Sequence, residues 1–229
     1  MPVTITTLLT GTVTPLGTAG AVSAIDKQPT TARERVVFTG LVNDRQADRK
    51  HHGGHDKALH HYPGEHYPWW LATLGTKAAG VCRAGGFGEN LSTIGMDETT
   101  VCLGDVYRVG ATVLQVSQAR QPCWKLNLRF GHPEMARLLQ ETLRTGWYYR
   151  VLEEGWLQAG DAITLLERPY PDWPLARLLG VLYHDGLNRS LLEEMANLAP
   201  LAESWKELVH KRLATGRIEE WGQRLYGTP

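Results

Sequence analysis

Cys123 stands in Gln-Ala-Arg-Gln-Pro-Cys-Trp-Lys, with Arg120 three residues before it and Lys125 two after. A thiol set between fixed cations is in the environment that favours the thiolate. Thiolates act as nucleophiles, redox groups or soft metal ligands. A free cysteine can equally be a small buried hydrophobe. Cys82 and Cys102 lack matching cations and read as structural. The 3 cysteines are widely spaced and form no CxxC pair, which argues against a disulfide framework, a cysteine zinc finger or an iron–sulfur cluster.

A second group of chemically capable residues runs from Asn43 to Tyr62, and six of the 9 histidines lie between His51 and His66. A zinc-binding structural protein is one reading. Against it, His51 and His55 straddle Gly53-Gly54, which does not suit a helical pair of metal ligands. His60 and His61 sit in an alternating stretch that points them to opposite faces. The Gly53-Gly54 pair suggests backbone N–H groups open to an anion. Arg45, Arg49, Lys50 and Lys57 would add charge-assisted hydrogen bonds to phosphate. A solvated basic loop fits the same residues.

The elements that must position these groups are strands first and helices last. Thr4–Val13, Ala21–Ile25 and Arg35–Phe38 are short β-branched runs. Gly104–Gly110 and Ala111–Ser117 predict a hairpin turning at Gly110 and leading to the Cys123 corner, where Pro122 ends the ladder. Trp147–Leu152 and Asp161–Leu166 predict closing strands around the turn at Glu153-Glu-Gly155. Pro63–Leu74 predicts a helix with Pro63 in its first turn, and His132–Arg144 a helix stopped by Gly146. Gly85-Gly-Phe-Gly-Glu-Asn-Leu91 is a glycine-rich turn in which Glu89 and Asn90 orient a ligand or cap the loop. Pro169, Pro171 and Pro174 mark a boundary. Beyond them Leu175–Tyr183, Ser190–Leu198 and Glu203–Leu213 are amphipathic helical segments, followed by an amphipathic tail from Ile218 to Tyr226.

Bulk properties narrow the function. Lys plus Arg (24) equals Asp plus Glu (24), so no net field recruits nucleic acid or an anionic membrane. No apolar run approaches a membrane span, and the N-terminus reads as no signal peptide, which predicts a cytoplasmic protein. The hydrophobic fraction of 42% suffices for a core over 229 residues.

Five separated motifs occur in one order: Asp44-Arg-Gln-Ala-Asp48, His52-Gly-Gly-His-Asp-Lys-Ala58, Phe87-Gly-Glu-Asn-Leu91, Gly104-Asp105 and Ser117-Gln-Ala-Arg-Gln-Pro-Cys-Trp-Lys125. Together with the helical tail, this order resembles MOSC domains of the YiiM type. These are molybdenum-cofactor-binding domains related to the C-terminal part of molybdenum cofactor sulfurases, followed by a small three-helix domain. Asn43 stands where the family commonly has Gly. The resemblance implies a mainly β fold, with a MOSC β-barrel carrying a few helices over residues 1–168 and a three-helix domain over 169–229. It implies that Cys123 is the thiolate ligand of molybdenum held by a pterin dithiolene. It also implies reduction of N-hydroxylated compounds such as 6-hydroxylaminopurine, a detoxification of base analogues.

The residues accommodate that expectation. Arg45, Lys57, Arg120 and Lys125, with the His52-Gly53-Gly54 turn, supply cations and backbone donors for molybdopterin. Asn90 and Ser117 can hydrogen-bond the pterin edges. His52 or His61 can relay protons, or hold a structural hydrogen bond instead. With no Rossmann fingerprint and no iron–sulfur pattern, such a reductase needs an external donor protein bearing a flavin or iron–sulfur centre. The rival from another class is a sulfur or molybdopterin carrier that holds its cargo on Cys123.

Overall fold

A computed structural model describes residues 2–17, 20–48 and 53–227. The strands are β1 (Thr7–Thr10), β2 (Thr14–Leu16), β3 (Ala21–Ser23), β4 (Gln28–Pro29), β5 (Glu34–Val37), β6 (Gly40–Leu41), β7 (Leu59–Pro63) and β8 (Leu91–Thr93). They continue with β9 (Val106–Val109), β10 (Thr112–Ala119), β11 (Trp147–Glu153), β12 (Gly155–Leu157) and β13 (Ile163–Glu167). Eight of them form one mixed sheet in the order β13-β9-β10-β11-β7-β8-β1-β4. Within it β7 and β8 run parallel and the other pairs are antiparallel. The sheet curls into a half-barrel. The residues leading into β1 reach the opposite edge, where Ile5 N donates to Asp161 O and Ile163 N to Val3 O. This agrees with the mainly β expectation.

The long strand β10 shows why the fold places Cys123 where it does. All its residues but Gln115 are buried, because helices cover the face that a half-solvated strand would leave to water. Its pairing with β11 slips at one point: Val116 opposes Tyr149, the next pair is Gln118 with Tyr148, and Ser117 is the extra residue. Such a bulge bends a strand and re-aims its side chains. The Ser117 hydroxyl fixes this one by donating to Asp56 O at 2.6 Å and Tyr148 O at 3.1 Å. Five residues on, Pro122 lies just beyond the end of the ladder, as the sequence predicts.

The helices are α1 (His66–Leu74), α2 (Lys125–Phe130), α3 (Met135–Thr142), α4 (Leu175–Tyr183), α5 (Arg189–Ala196), α6 (Glu203–Thr215) and α7 (Gly222–Tyr226). Three local expectations are corrected. Pro63 closes β7 and does not open α1; it sits at the last parallel pair, opposite Thr93, where a missing N–H costs little. Helix α3 ends on Leu143, which itself takes the left-handed conformation (φ 58°), three residues before Gly146. Of the tail from Ile218, only α7 is helical. Helix α2 has no counterpart in the sequence reading, because six residues are too few to display a helical period.

One buried apolar cluster runs from Ile5, Leu8 and Leu114 in the half-barrel through Leu178, Leu182 and Trp205 in the last helices without a break. A second cluster, with Tyr62, Trp70, Phe87 and Leu126, packs β7, α1 and α2 together. In it Tyr62 stacks on Phe87 at 4.1 Å and accepts from Trp70 Nε1 at 2.6 Å. Among the described residues no helix is long and apolar enough to cross a membrane.

Candidate functional site

Several loops and the two neighbouring strands β7 and β11 meet around a cleft of about 600 Å³ that opens to solvent. Each wall is held by an identifiable contact. The loop after β6 brings Arg45. Its anchor is Asp44, whose carboxylate accepts from Gly11 N at 2.7 Å and from the Lys27 ammonium at 2.5 Å, while Arg45 N donates to Gly11 O. The Lys27 and Asp44 side chains are only 7% and 4% exposed. Burial lowers the pKa of Lys27, against the opposing pull of Asp44. The glycine-rich turn contributes Phe87, Gly88 and Asn90. Glu89, fully buried, ties that turn by accepting from Gly85 N at 2.7 Å, Phe87 N at 3.0 Å and the Tyr67 hydroxyl. Burial raises its pKa, against those hydrogen bonds. Asn90 joins strands: its Oδ1 accepts from His60 N at 3.1 Å and its Nδ2 donates to Leu9 O at 3.3 Å.

Cys123 lines this cleft half-buried, whereas Cys82 and Cys102 are buried and burial raises the pKa of both thiols. Around Cys123 the cleft gathers Arg45, Lys57, Arg120 and Lys125. Lys57 interacts electrostatically with Cys123, and burial lowers the lysine's pKa. Arg120 is 5% exposed, yet its Nη1 finds no hydrogen-bond partner among the described residues. Burying polar atoms without partners is costly. Such an atom on a guanidinium, among further cations, suits a polar, anionic ligand. Tyr148 adds a ring, and burial raises its phenol pKa.

Arg45, Lys57, Asn90, Arg120, Cys123 and Lys125 are thus brought together, as the sequence reading grouped them. His61 is not. It is fully buried, with Nδ1 3.0 Å from the Tyr149 hydroxyl and Nε2 2.8 Å from Thr93 Oγ1, and burial drops its pKa to about 3. The alternation of the histidine pair is as expected, but His60 is the one that faces the cleft. Ser117 serves the bulge and does not line the cleft. Gly53 and Gly54 precede the short 3₁₀ turn His55–Lys57 and do not line it either. His52, Arg49, Lys50 and His51 lie outside the described residues. Among the described residues no three His, Cys, Asp or Glu side chains gather as a metal site. His66, from the same segment, pairs with Glu98 at 2.7 Å.

Lys27, His60 and Tyr148 are the cleft residues missed in the sequence. Lys27 gave no signal, being a lone cation. Tyr148 lay in a strand that reads as core.

The comparisons with known proteins agree with this geometry. The MOSC domain family matches residues 48–164, and the YiiM-like 3-alpha helix domain matches 173–216. Protein YiiM of Escherichia coli is 37% identical over 208 residues, covering 91% of this chain and 92% of that protein. A protein named reductase from Gibberella moniliformis is 38% identical over 192 residues, covering 83% of this chain but 34% of its own length. Among solved structures, YiiM of Escherichia coli superposes with a TM-score of 0.81 at 31% identity, covering 99% and 98% of the two chains. YiiM of Geobacillus stearothermophilus gives 0.78 at 32%, covering 93% and 100%. With both matches laid over this half-barrel and its three-helix extension, the chain belongs to the MOSC-domain family and carries the YiiM-like three-helix domain.

Proposed function

We propose that the chain is a molybdenum-cofactor-dependent reductase of N-hydroxylated compounds. One observation carries the reading: a half-buried cysteine opens into a cleft that also holds five cationic side chains, Lys27, Arg45, Lys57, Arg120 and Lys125, and Arg120 has a buried N–H with no partner among the described residues. The family and the fungal relative named reductase support it. A molybdopterin fits this donor set, with Arg45, Lys57, Arg120 and Lys125 to hold its phosphate and polar ring edges and Cys123 as soft thiolate ligand. When bound, the cofactor supplies two-electron redox chemistry at a metal able to accept oxygen.

The chain's own residues then have distinct tasks. Cys123 would hold the metal end of the cofactor, and the Asp44 and Glu89 anchors keep the cationic and glycine-rich walls in place around it. Burial, with the Arg120 and Lys27 charges, lowers the pKa of His60 well below the ordinary value. It therefore acts as a neutral hydrogen-bonding group. Lys57, whose pKa burial also lowers, is the cation beside Cys123 better placed to give up a proton. The net reaction takes two electrons and two protons. The N–O bond breaks, an N–H bond forms and the oxygen leaves as water. The electrons come from an external donor protein bearing a flavin or iron–sulfur centre.

The test is elemental analysis of protein purified from a molybdopterin-competent host, beside Cys123→Ala. About one molybdenum per chain, lost in the variant, is expected. A sulfane sulfur on Cys123 without metal would replace this reading with the carrier. Zinc in its place would point to the histidine segment.

A further inference from the structure

A second, roomier cleft of about 1190 Å³, also open to solvent, adjoins the first. The two share Asp48, Lys57, Cys123, Lys125 and Tyr148, so Cys123 faces both. The walls they do not share differ in chemistry. The first cavity has the cationic Arg45 and Arg120 and the glycine-rich turn. The second has three amides, Gln118, Gln121 and Gln223, beside the ring of Trp124, and one cation, Arg224, whose guanidinium is held by Pro122 O and Gln140 Oε1.

Two features show that this wall is built. Gln118 is 1% exposed, and its Oε1 finds no hydrogen-bond partner among the described residues. Its Nε2 has only a long contact of 3.4 Å to Ala119 O. It sits just after the Ser117 bulge, which sets its direction. Gln223 comes from the far end of the chain on α7, and α7 is fastened over the Cys123 corner. Arg224 donates from Nη1 to Pro122 O at 2.7 Å and from Nη2 to Gln140 Oε1 at 2.5 Å. Trp124 N donates to Arg224 O at 2.8 Å, and Asn127 Nδ2 to Leu225 O at 2.8 Å.

We infer that the second cavity receives the substrate and that Gln118 and Gln223 are specificity-determining residues, reading a planar N-hydroxylated heterocycle whose edge offers an N–H donor beside an acceptor. The inference rests on the reductase reading for the N-hydroxyl group. The chemistry of the amides supplies the rest. A buried amide oxygen left unpaired penalises every ligand that brings it no donor. A set of amides offers donors and acceptors together without charge, which suits the edge of a neutral heterocycle better than an anion. Trp124 and Tyr148 give flat surfaces for such a ring. Lys57 and Lys125 stand on the border between the two cavities, and the side with Arg45 and Arg120 is left to the cofactor.

The experiment uses the molybdenum-loaded protein and two N-hydroxylated substrates, 6-hydroxylaminopurine with such an edge and phenylhydroxylamine without one. The readout is the ratio of their kcat/KM values in wild type, Gln118→Leu and Gln223→Ala. Each variant is expected to move the ratio about tenfold against the purine, with unchanged molybdenum content. Gln223 is exposed, so its variant keeps the test open if Gln118→Leu folds poorly. A ratio unchanged in Gln223→Ala would overturn the inference. If wild type turns over neither substrate, the reductase reading fails, and calorimetric binding of adenine decides the cavity by itself. Binding weakened about tenfold in the variants upholds the cavity, and binding equal to wild type, or none at all, overturns it.

Discussion

Replacing Asp44 by alanine strands the Lys27 ammonium in a site where it is 7% exposed. The lysine keeps its burial and loses its 2.5 Å partner, and Gly11 N loses its acceptor as well. Removing one partner of a buried pair costs about 3–5 kcal/mol, because the other charge is left uncompensated. In a chain of this size each kcal/mol moves the melting temperature by about 2–4 °C. The expected fall at neutral pH is then about 6–20 °C. The pH dependence sharpens the test. In the folded chain burial holds the Lys27 pKa below its ordinary value of 10.5, and the charge and hydrogen bond of Asp44 are the main influences that raise it. Without Asp44 it falls further. Between that lowered value and 10.5 the unfolded chain holds the extra proton, so stability rises with pH across the window. The deficit of Asp44→Ala should therefore be widest near pH 7 and narrow toward pH 10. Thermal unfolding followed by circular dichroism at both pH values measures it. The double variant Lys27→Met/Asp44→Leu should recover most of the loss, since it buries no lone charge. A fall of under about 2 °C at pH 7, or a deficit that widens with pH, would refute the argument that this pair is what carries Arg45 to the cleft.

Two further substitutions test groups read differently in the sequence and the fold. His61 holds a pKa of about 3 in the fold against 6.5 unfolded, so the stability it contributes is full above pH 6.5 and drains as pH falls toward 3; His61→Gln should lose about 2–3 kcal/mol less than wild type between pH 7 and pH 4.5 in urea titrations, and equal losses would contradict its burial as a neutral group. Glu89→Ala leaves two backbone N–H groups and the Tyr67 hydroxyl without their acceptor, at about 1–3 kcal/mol for each; its urea midpoint should fall well below that of Glu89→Gln, which keeps an acceptor oxygen, and matching midpoints would show that the turn is held by something else.

What could be read from the sequence was whatever depended on near neighbours. The strand, Pro122 and Cys123 with its two cations lie within one short stretch, and their chemistry is local. The three segments after Pro174 announced themselves by their period. Asp44 and Asp105 were visible as parts of motifs, but their purpose was not. Asp105 turns out to be a fully buried acceptor for Cys102 N, the Tyr107 hydroxyl and a two-armed contact from Arg168. The decisive partners, Gly11 for Asp44 and Arg168 for Asp105, lie 33 and 63 residues away. The same holds for His60 and His61, where alternation separated the pair but only the parallel neighbour β8 decided which of them met Thr93 and the core. The slip at Ser117 has no sequence mark, since serine in a strand and serine in a bulge look alike.

The clasp of Arg224 on Pro122 joins residues 102 positions apart, and this gives the protein a timetable. During synthesis at about 5–20 residues per second, the stretch carrying the thiol is made about 5–20 seconds before the arginine that will hold it. For that interval the β-strands can pair and begin to bury their faces while the wall over Cys123 has not yet been translated. A ribosome stalled in the last helices would leave a half-barrel whose Cys123 corner lacks the Arg224 clasp. The Cys123 corner is thereby the last part of the half-barrel to be fastened, since its clasp waits for α7.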